Sequence, residues 1–570
     1  MTTDNSADNG KDVASVGEGF LRLLASRGVD FLFANPGTDF PALVEGLARA
    51  RRDGFAVPKT LLVPHENVAV GMAYGATMVS GRAQALMVHV NVGTANALCG
   101  LINAARENVP MLLAAGRTPL FESGEPGSRS LNIHWAQEMF DQAGMVRELV
   151  KWDYELRTPG QVGDVVARSV EVAMAHPRGP IYLVLPREPL SAPVMEPIAP
   201  IKPRTAAPRA HPDPKTIATL AEWIAAAERP LIITSVLPSD AVRTLSALAE
   251  KCAIPVITHN PRSVCLPSSH PMHFGYEPGA LLADADLVIS LESDVPWIPH
   301  LQHPPAGARI VHIGEDPFFV RYPMRSFPSD LAVQAGVVNA LEALENAVGS
   351  RLQMAEARIS ARRTRLAERM RTRRAQLAKD SVVGERISPA YLSRAIYEAV
   401  GEEAVIFNEY PLRADHCPRE KPGTLFALGP AGGLGWGLGA ALGAKLAAPD
   451  KLIVATLGDG AYMFSNPTVG HWVSQKHNLP ILTIVFNNSR YGAVRNSTLA
   501  MFKDGVSGET DGRELADLDP APPYDEMAKA QGAHAERVEK PADLPGALAR
   551  ARDAVMNDKR QALLNVITPY

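Results

Sequence analysis

The sequence predicts an α/β protein that contains three doubly wound parallel-sheet domains. Short apolar runs typical of buried strands alternate with helical patterns in three separate stretches, and this alternation is typical of parallel sheets covered by helices on both faces. The 570 residues are enough for three or four domains. A proline-rich stretch and a helical stretch without Gly or Pro separate the three parts. The predicted parts are a disordered tail (1–12), three domains (13–190, 201–348 and 387–570) and a linking helix (350–380).

The composition excludes several classes of function. The net charge of −4 gives no basic surface field, so nucleic-acid binding is not expected. The 4 cysteines show no CxxC spacing, which indicates buried thiols in a reducing compartment. No apolar run approaches the length of a membrane span, and the polar first residues contain no signal-peptide core. We therefore expect a cytoplasmic protein that binds neither nucleic acid nor membrane.

The first domain places polar residues where its predicted strands end. Thr38 and Glu66 follow two of these strands, and the strand predicted over 85–90 contains His89 and runs into a turn with Asn96. By itself, Glu66 could be a carboxylate at a helix N-terminus, favoured there by the helix dipole. His89 could be a hydrogen-bonded core residue or a proton carrier. For Asn96, a bond that stabilises the local turn is expected.

The second domain has four predicted strands and no dinucleotide fingerprint. The predicted strands cover residues 230–234, 255–258, 287–290 and 309–313. Because no GxGxxG follows any of them, bound flavin is not predicted. The linking helix consists of good helix formers and is rich in arginine, and without interleaved aromatic residues it is expected to be a solvated helix rather than a nucleic-acid surface.

The third domain contains the strongest motif. A Gly-Asp-Gly triplet centred on Asp459 ends the predicted strand 452–457, and an Asn-Asn pair that ends at Asn488 follows the predicted strand 481–486. Open parallel sheets bind ligands at the carboxyl ends of their strands, and these oxygens suit a magnesium ion shared with a diphosphate. A plain turn with a helix-capping Asp is the alternative. An earlier glycine-rich stretch, 429–435, indicates by itself only a tight turn before a helix.

The triplet and the pair, about 26 residues apart, resemble the cofactor fingerprint of thiamine-diphosphate enzymes. In the first domain, the turn at 35–38, the Glu66 helix and His89 are similar in order and spacing to benzoylformate decarboxylases, a family of the pyruvate decarboxylase/acetolactate synthase superfamily. The resemblance implies thiamine diphosphate and Mg²⁺ as cofactors. The implied metal ligands are the side chains of Asp459 and Asn488 and the main-chain carbonyl of Arg490.

The resemblance also implies which residues bind the organic cofactor. Glu66 hydrogen-bonds a ring nitrogen of the aminopyrimidine and so activates the cofactor. The carbonyl of Gly432 accepts the amino group of that ring, and the side chain of Leu434 keeps the cofactor bent. Ala461 replaces a serine common after the triplet, which leaves Tyr462 to compensate for the missing hydroxyl. The implied cofactor-binding residues are Pro36, Gly37, Glu66, Tyr410, Gly432, Leu434, Gly458, Asp459, Gly460, Ala461, Tyr462, Asn488, Arg490, Tyr491 and Gly492.

The implied catalytic residues are Glu66, His89 and His300. His89 matches a histidine that moves protons, which an imidazole does well near neutral pH. The second catalytic histidine of the family falls on Pro299 here, so either the adjacent His300 takes its role or that function is lost and the substrate differs. Prolines that only stiffen this loop are the alternative. The implied substrate-binding residues are Thr38, at the position of a serine that binds the substrate carboxylate, His89 and Asn96.

The resemblance therefore predicts decarboxylation of a 2-oxo acid, with carboligation to an aldehyde as a further capacity. Cleavage of 2-hydroxyacyl-CoA and acetolactate-type carboligation are the alternatives, and the sequence Val-Asn-Val-Gly at 90–93 differs from the Ser-Gly-Pro-Gly turn usual in those relatives. The polar stretch 502–523 is either an active-site lid or a surface loop. A catalytically silent homologue is the remaining alternative. In the family, Glu66 and the triplet of one site come from different subunits, so a homodimer is the minimum and a homotetramer is expected.

Overall fold

The computed structural model describes residues 13–194, 202 and 206–569. The tail predicted over 1–12 and part of the proline-rich stretch lie outside the described residues. Three parallel sheets, each covered by helices, confirm the predicted fold class.

Within the described residues the first sheet has six strands. They are β1 (Phe31–Ala34), β2 (Lys59–Leu62), β3 (Gln84–Val88), β4 (Met111–Arg117), β5 (Asp153–Glu155) and β6 (Ile181–Pro186). All pairs are parallel, in the order β2-β1-β3-β4-β6-β5. The helices are α1 (Val16–Ser26), α2 (Pro41–Asp53), α3 (Glu66–Ser80), α4 (Val90–Arg106), α5 (Ile133–Ala136), α6 (Val162–Met174) and α7 (Arg187–Ser191). The central strands are buried throughout because helices cover both faces.

The second sheet is smaller and also parallel. Its strands are β7 (Pro230–Thr234), β8 (Val256–Thr258), β9 (Leu287–Leu291), β10 (Arg309–Gly314) and β11 (Leu331–Gln334), in the order β11-β10-β9-β7-β8. The helices are α8 (Pro214–Ala226), α9 (Ser239–Cys252), α10 (Gly279–Asp284) and α11 (Val337–Met354). The edge strand β11 is absent from the sequence prediction, because it has four residues, of which Val333 alone is buried, and so shows little hydrophobic pattern.

The linking helix differs from its sequence prediction in where it begins and in how much of it is buried. The helix α12 (Glu356–Asp380) begins after a break at Ala355, since α11 continues to Met354. It is not solvated on all sides. Ile359, Arg362, Leu366 and Met370 are buried against the second domain, at spacings that place them on one helix face.

The third sheet repeats the topology of the first. Its strands are β12 (Val405–Glu409), β13 (Leu425–Ala427), β14 (Ile453–Gly458), β15 (Leu482–Asn487), β16 (His534–Val538) and β17 (Ala562–Ile567), in the parallel order β13-β12-β14-β15-β17-β16. The helices are α13 (Pro389–Val400), α14 (Trp436–Ala447), α15 (Asp459–Phe464), α16 (Pro467–His477), α17 (Gly492–Met501), α18 (Tyr524–Lys529) and α19 (Leu544–Met556).

The strand order creates a switch point in the first sheet and another in the third. In the first, the chain passes from β1 to β2 on one side and to β3 on the other; in the third, it passes from β12 to β13 and then to β14. Open α/β sheets bind ligands in the crevice at the carboxyl ends of such strands. The residues just after β1, β3, β12 and β14 are therefore the first place to look for a site.

The first and third domains pack through α3 and α14. A side chain at Gly75 would place its Cβ 1.9 Å from the backbone oxygen of Ala440, and one at Gly443 would place it 1.9 Å from that of Met72. The two helices approach this closely because both are rich in small residues. In the part of the chain that the structure describes, no helix is long and apolar enough to cross a membrane.

Candidate active site

Glu66 lies at the carboxyl edge of the first sheet and is fixed by two amides. It is the first residue of α3 and is 7% exposed. Asn35, just after β1, donates its side-chain N–H to Oε1 at 2.8 Å, and Asn96 on α4 donates to Oε2 at 2.5 Å. Asn96 therefore reaches the Glu66 carboxylate instead of making the turn bond expected from the sequence. The carboxylate is held in one orientation on both oxygens.

His89 lies between β3 and α4, which corrects its predicted place inside a strand. The apolar run continues past the strand end because α4 begins with buried residues at Val90, so the predicted turn at 91–96 is helix. The Nδ1 of His89 is 2.6 Å from Oδ1 of Asp39, whose other oxygen accepts the N–H of Val90 at 3.1 Å. The hydrogen bond to the Asp39 carboxylate raises the pKa of His89. Nδ1 keeps its proton, and Nε2 is left for exchange.

A second histidine orients the hydroxyl of Thr38. His134 is buried, and its Nδ1 accepts the N–H of Ser130 at 3.1 Å. Burial, together with the nearby Arg187 and Arg129, lowers the pKa of His134, so the ring is neutral and carries its proton on Nε2. That Nε2 is 3.3 Å from Oγ1 of Thr38. Because His134 donates to it, Thr38 keeps its own O–H as a donor for another partner.

These residues line two spaces that share His89. Asn35, Pro36, Glu66, His89 and Asn96 line an open hollow of about 680 Å³. A narrow cleft is lined by Thr38, Asp39, His89, His134 and Gln137, with the Gln137 amide nitrogen 3.4 Å from Nε2 of His89. Gly37 packs against the His89 ring, where an added Cβ would lie 2.1 Å from Nδ1. The sequence-predicted residues of the first domain therefore lie together.

The triplet and the asparagine pair also meet, as the sequence predicts. β14 and β15 pair in parallel, so their carboxyl ends lie side by side. The carboxylate of Asp459 accepts the N–H of Gly460 at 2.8 Å and that of Asn488 at 3.1 Å. The side-chain oxygen of Asn488 accepts the N–H of Arg490 at 2.9 Å. Asp459 is 2% exposed, and burial raises its pKa.

This donor set fits a magnesium ion beside a diphosphate. A carboxylate oxygen of Asp459, an amide oxygen of Asn488 and the carbonyl of Arg490 are hard donors, and Mg²⁺ binds few protein groups and completes its shell with phosphate and water. A cation would also stabilise the charged form of a buried carboxylate. Among residues 13–194, 202 and 206–569, no group of three or more His, Cys, Asp or Glu is placed to hold a metal. Because Asp459 is the one carboxylate of this proposed site, a bound Mg²⁺ would also need oxygens of the diphosphate as ligands.

The glycine-rich turn at 429–435 lies next to the end of β12. Gly432 and Gly435 have φ of 65° and 84°, which favour glycine. The buried carboxylate of Glu409 accepts the N–H groups of Gly435 and Gly437 at 2.7 and 2.6 Å and so fixes the start of α14. The Tyr410 hydroxyl is 3.4 Å from the carbonyl of Gly432. The turn is thus held by neighbours at the switch point of the third sheet.

Tyr462 does not replace the hydroxyl missing at Ala461. Its ring is fully buried, and its hydroxyl donates at 2.8 Å to Nε2 of His471, whose Nδ1 donates to Gln561. Tyr462 therefore fills the core beneath the triplet. The ring of Tyr491, just before Gly492, packs on Gly460, where an added Cβ would lie 2.5 Å away.

His300 lies apart from the other predicted catalytic residues. It is exposed in a turn after β9 of the second domain. Neither the hollow at Glu66 nor the cleft at Thr38 is lined by it. Its role stays a prediction. The sequence analysis did not identify Asp39, His134, Gln137 and Glu409, because each contacts a residue that is distant in sequence. Asp39, one position after Thr38, and Glu409, one position before Tyr410, lie beside residues that the sequence did predict.

Family models match all three domains of the chain. Residues 14–145 match the model described as "Thiamine pyrophosphate enzyme, N-terminal TPP binding domain", residues 217–344 the central domain, and residues 410–566 the "C-terminal TPP binding domain". A probable 2-ketoarginine decarboxylase of Pseudomonas aeruginosa is 27% identical, over 85% of this chain and 84% of its own length. A benzoylformate decarboxylase of the same organism is 26% identical, over 83% of this chain and 86% of its own.

A sulfoacetaldehyde acetyltransferase of Castellaniella defragrans is 25% identical, over 96% of this chain and 92% of its own length. The solved structure of a thiamine diphosphate-dependent 4-hydroxybenzoylformate decarboxylase from Rhodococcus jostii RHA1 shares the fold, with a TM-score of 0.77 and 24% identity over 98% of this chain and 99% of that one. The chain therefore belongs to the thiamine pyrophosphate enzymes, in their group of 2-oxo acid decarboxylases and carboligases.

Proposed function

We propose that the protein is a thiamine-diphosphate- and Mg²⁺-dependent lyase that decarboxylates a 2-oxo acid, in the manner of benzoylformate decarboxylases, and can join the acyl unit to an aldehyde. The single observation that supports this most is the pairing of a fixed Glu66 carboxylate with an Asp39-bound His89 around one hollow. The Glu66 carboxylate is suited to bind the cofactor's pyrimidine ring, and the His89 imidazole is suited to transfer protons to and from the substrate.

Each residue has a distinct task in this proposal. When bound, the cofactor supplies the electron sink for the bond that breaks in the 2-oxo acid. Glu66 holds the ring nitrogen of the pyrimidine. The Nε2 of His89 gives and takes the proton at the substrate oxygen or carbon, because Nδ1 stays bound to Asp39. The O–H of Thr38 in the cleft donates to the substrate carboxylate, and the amide of Asn96 lines the hollow that shares His89 with that cleft.

We also propose that Asp459, Asn488 and the carbonyl of Arg490 hold Mg²⁺ and that the protein is at least a homodimer, with a homotetramer expected. Exposed apolar side chains lie beside the Glu66 hollow and beside the Gly-Asp-Gly triplet. They support the proposal because a second subunit that packs there would bury them. Val92 is 49% exposed beside the Glu66 hollow, and Met463 and Phe464 after the triplet are 41% and 50% exposed. Mixing two inactive variants, Glu66→Gln and Asp459→Asn, tests this: activity returns only if one site uses both subunits.

The reaction is tested with a substrate panel. The protein is loaded with thiamine diphosphate and Mg²⁺ and offered aromatic, branched and basic 2-oxo acids, pyruvate, and 2-hydroxyacyl-CoA esters, while carbon dioxide and acyl products are measured. Release of carbon dioxide from an aromatic, branched or basic 2-oxo acid is the expected result. Turnover of the CoA esters alone would contradict the proposed substrate class but not the cofactor.

Three variants assign the roles. Glu66→Gln is expected to lose most turnover, which would also exclude a silent homologue, and His89→Ala is expected to slow it strongly, since general acid–base groups contribute about 10²- to 10⁴-fold. His300→Ala tests the remaining predicted histidine. The control is His303→Ala, a nearby exposed histidine whose Nδ1 lies 3.1 Å from the neighbouring Pro304 carbonyl. Equal losses in His300→Ala and His303→Ala would assign neither a catalytic role.

A further inference from the structure

Helix α4 of the first domain reaches the glycine-rich turn of the third domain through Asn103. Asn103 follows Asn96 by seven residues, which is about two helical turns, so both side chains leave the same face of α4. Asn96 binds Glu66, whereas Asn103 is 1% exposed and binds Gly433. Its amide nitrogen donates to the carbonyl of Gly433 at 2.7 Å, and its oxygen accepts the N–H of Gly433 at 2.9 Å.

The contact requires glycine on one side and an amide on the other. A Cβ on Gly433 would lie 2.9 and 3.0 Å from the Asn103 amide and 3.0 Å from the sulfur of Cys99. Only an amide side chain of this length presents a donor and an acceptor in one plane to both backbone groups of a single residue. Asn103 itself is buried, so loss of either bond leaves a polar atom of its amide without that partner.

Gly433 stands between the two residues assigned to the cofactor's pyrimidine. The carbonyl of Gly432 precedes it, the side chain of Leu434 follows it, and the Leu434 carbonyl is 3.7 Å from the sulfur of Cys99. Gly432 and Gly435, both at positive φ, lie on either side of Gly433 and Leu434, so the turn has little preference of its own for one conformation. Asn103 from α4, Glu409 from the end of β12 and Tyr410, whose hydroxyl is 3.4 Å from the Gly432 carbonyl, hold the turn through their side chains.

We propose that Asn103 is a positioning residue for the cofactor: by clamping Gly433, it aims the Gly432 carbonyl and the Leu434 side chain at the pyrimidine ring. This inference rests on the proposed assignment of that turn to the cofactor. It places a residue of the first domain in control of a cofactor contact in the third domain of the same chain. It does not depend on which 2-oxo acid is the substrate.

Two ligands separate positioning from mere folding. In the proposed site, thiamine diphosphate contacts both the magnesium and diphosphate site at Asp459 and Asn488 and the glycine-rich turn, whereas inorganic pyrophosphate, at the same Mg²⁺ concentration, contacts only the former. Calorimetry measures both dissociation constants for the wild type and for Asn103→Asp, which keeps the shape and the acceptor but loses the donor. Asn103→Ala removes both bonds. Asn346→Asp, exposed on α11, is the matched control.

The expected result is a roughly 10- to 100-fold weaker binding of thiamine diphosphate by both Asn103 variants, the loss expected for one or two buried hydrogen bonds. The dissociation constant for pyrophosphate is expected to stay at the wild-type value in both Asn103 variants, and Asn346→Asp is expected to bind both ligands like the wild type. Unchanged thiamine diphosphate binding, or an equal loss for both ligands, would overturn the proposal. A wild type that binds thiamine diphosphate but decarboxylates no 2-oxo acid would contradict the proposed reaction only and leave this comparison intact.

Discussion

At the scale of single residues, two histidines at the same cleft are fixed in opposite protonation roles. His89 donates through Nδ1 to a carboxylate, which favours the charged ring, whereas His134 accepts a backbone N–H and lies buried near arginines, which favours the neutral ring. The first is thereby suited to proton transfer and the second to orienting the Thr38 hydroxyl. Each role depends on a partner that can be removed by one substitution.

Asp39→Asn is expected to lower the pKa of His89. The carboxylate raises that pKa, so a neutral amide removes the stabilisation of the charged ring. As the pH rises, the His89 ring of the variant therefore loses its proton at a lower pH than that of the wild type. If the protonated ring donates the proton, the alkaline limb of the kcat/KM profile moves to lower pH. The control is Gln137→Leu, which removes the other ring contact without a charge; an equal movement in both variants would contradict the role of Asp39.

His134→Leu is expected to weaken binding of a 2-oxo acid more than that of an aldehyde acceptor. Without the Nε2 donor, the Thr38 hydroxyl is free to turn away, and only a substrate with a carboxylate loses a bond. A rise of about tenfold in KM for the 2-oxo acid is expected for one such bond. The measurement is the ratio of the two KM values, repeated in Thr38→Val. If His134 acts through Thr38, the double variant loses no more than Thr38→Val alone.

The sequence predicts the main site residues but not the residues that orient them. Glu66, Asp459 and Asn488 occupy strand ends and spacings that a motif can capture. His134 and Asn103 cannot be found in this way, because one polar residue in a loop or helix shows no pattern and its partner lies far along the chain. For Asp39, one position after Thr38, and for Asn103, two helical turns after Asn96, the sequence shows that spacing but not the bonding partner.

At the scale of the elements, the crossing of α3 and α14 is set by small residues. The sequence predicts a small-residue helix suited to close packing after Glu66, but it does not identify the partner helix, since small residues favour close approach to any backbone. The structure pairs α3 with a helix of the same composition more than 350 residues later. Here the glycines matter for space rather than for backbone conformation.

Gly75→Ala is therefore expected to destabilise the protein although it improves helix propensity. The new Cβ would meet the Ala440 carbonyl at 1.9 Å, and overpacking of this kind costs about 1–3 kcal/mol or more. Gly349→Ala is the matched control, because that glycine lies in α11 with nothing within 4 Å. It is expected to gain up to about 1 kcal/mol from propensity alone. Thermal unfolding of both measures the difference, and similar melting temperatures would refute the packing argument.

At the scale of the whole molecule, Arg262 connects the three domains. Its guanidinium is 2.8 Å from Glu107 at the end of α4 and 2.8 Å from Asp294 after β9, and all three side chains are at most 5% exposed. Its backbone carbonyl accepts the N–H of Ala427 in the third domain. Alternation of strands and helices predicts three sheets, but a link made by single charges from distant segments shows no sequence pattern.

Arg262→Met is expected to destabilise the joined domains by about 3–5 kcal/mol, since it leaves two buried carboxylates without their shared cation. Melting should then occur in separate steps, and proteolysis should cut between domains that the wild type protects. The control is the triple variant Arg262→Met, Glu107→Gln, Asp294→Asn, in which no buried charge remains; it should recover much of the lost stability because uncharged groups tolerate burial better. If the single and triple variants melt alike, the loss comes from side-chain volume, and charge pairing does not join the first and second domains.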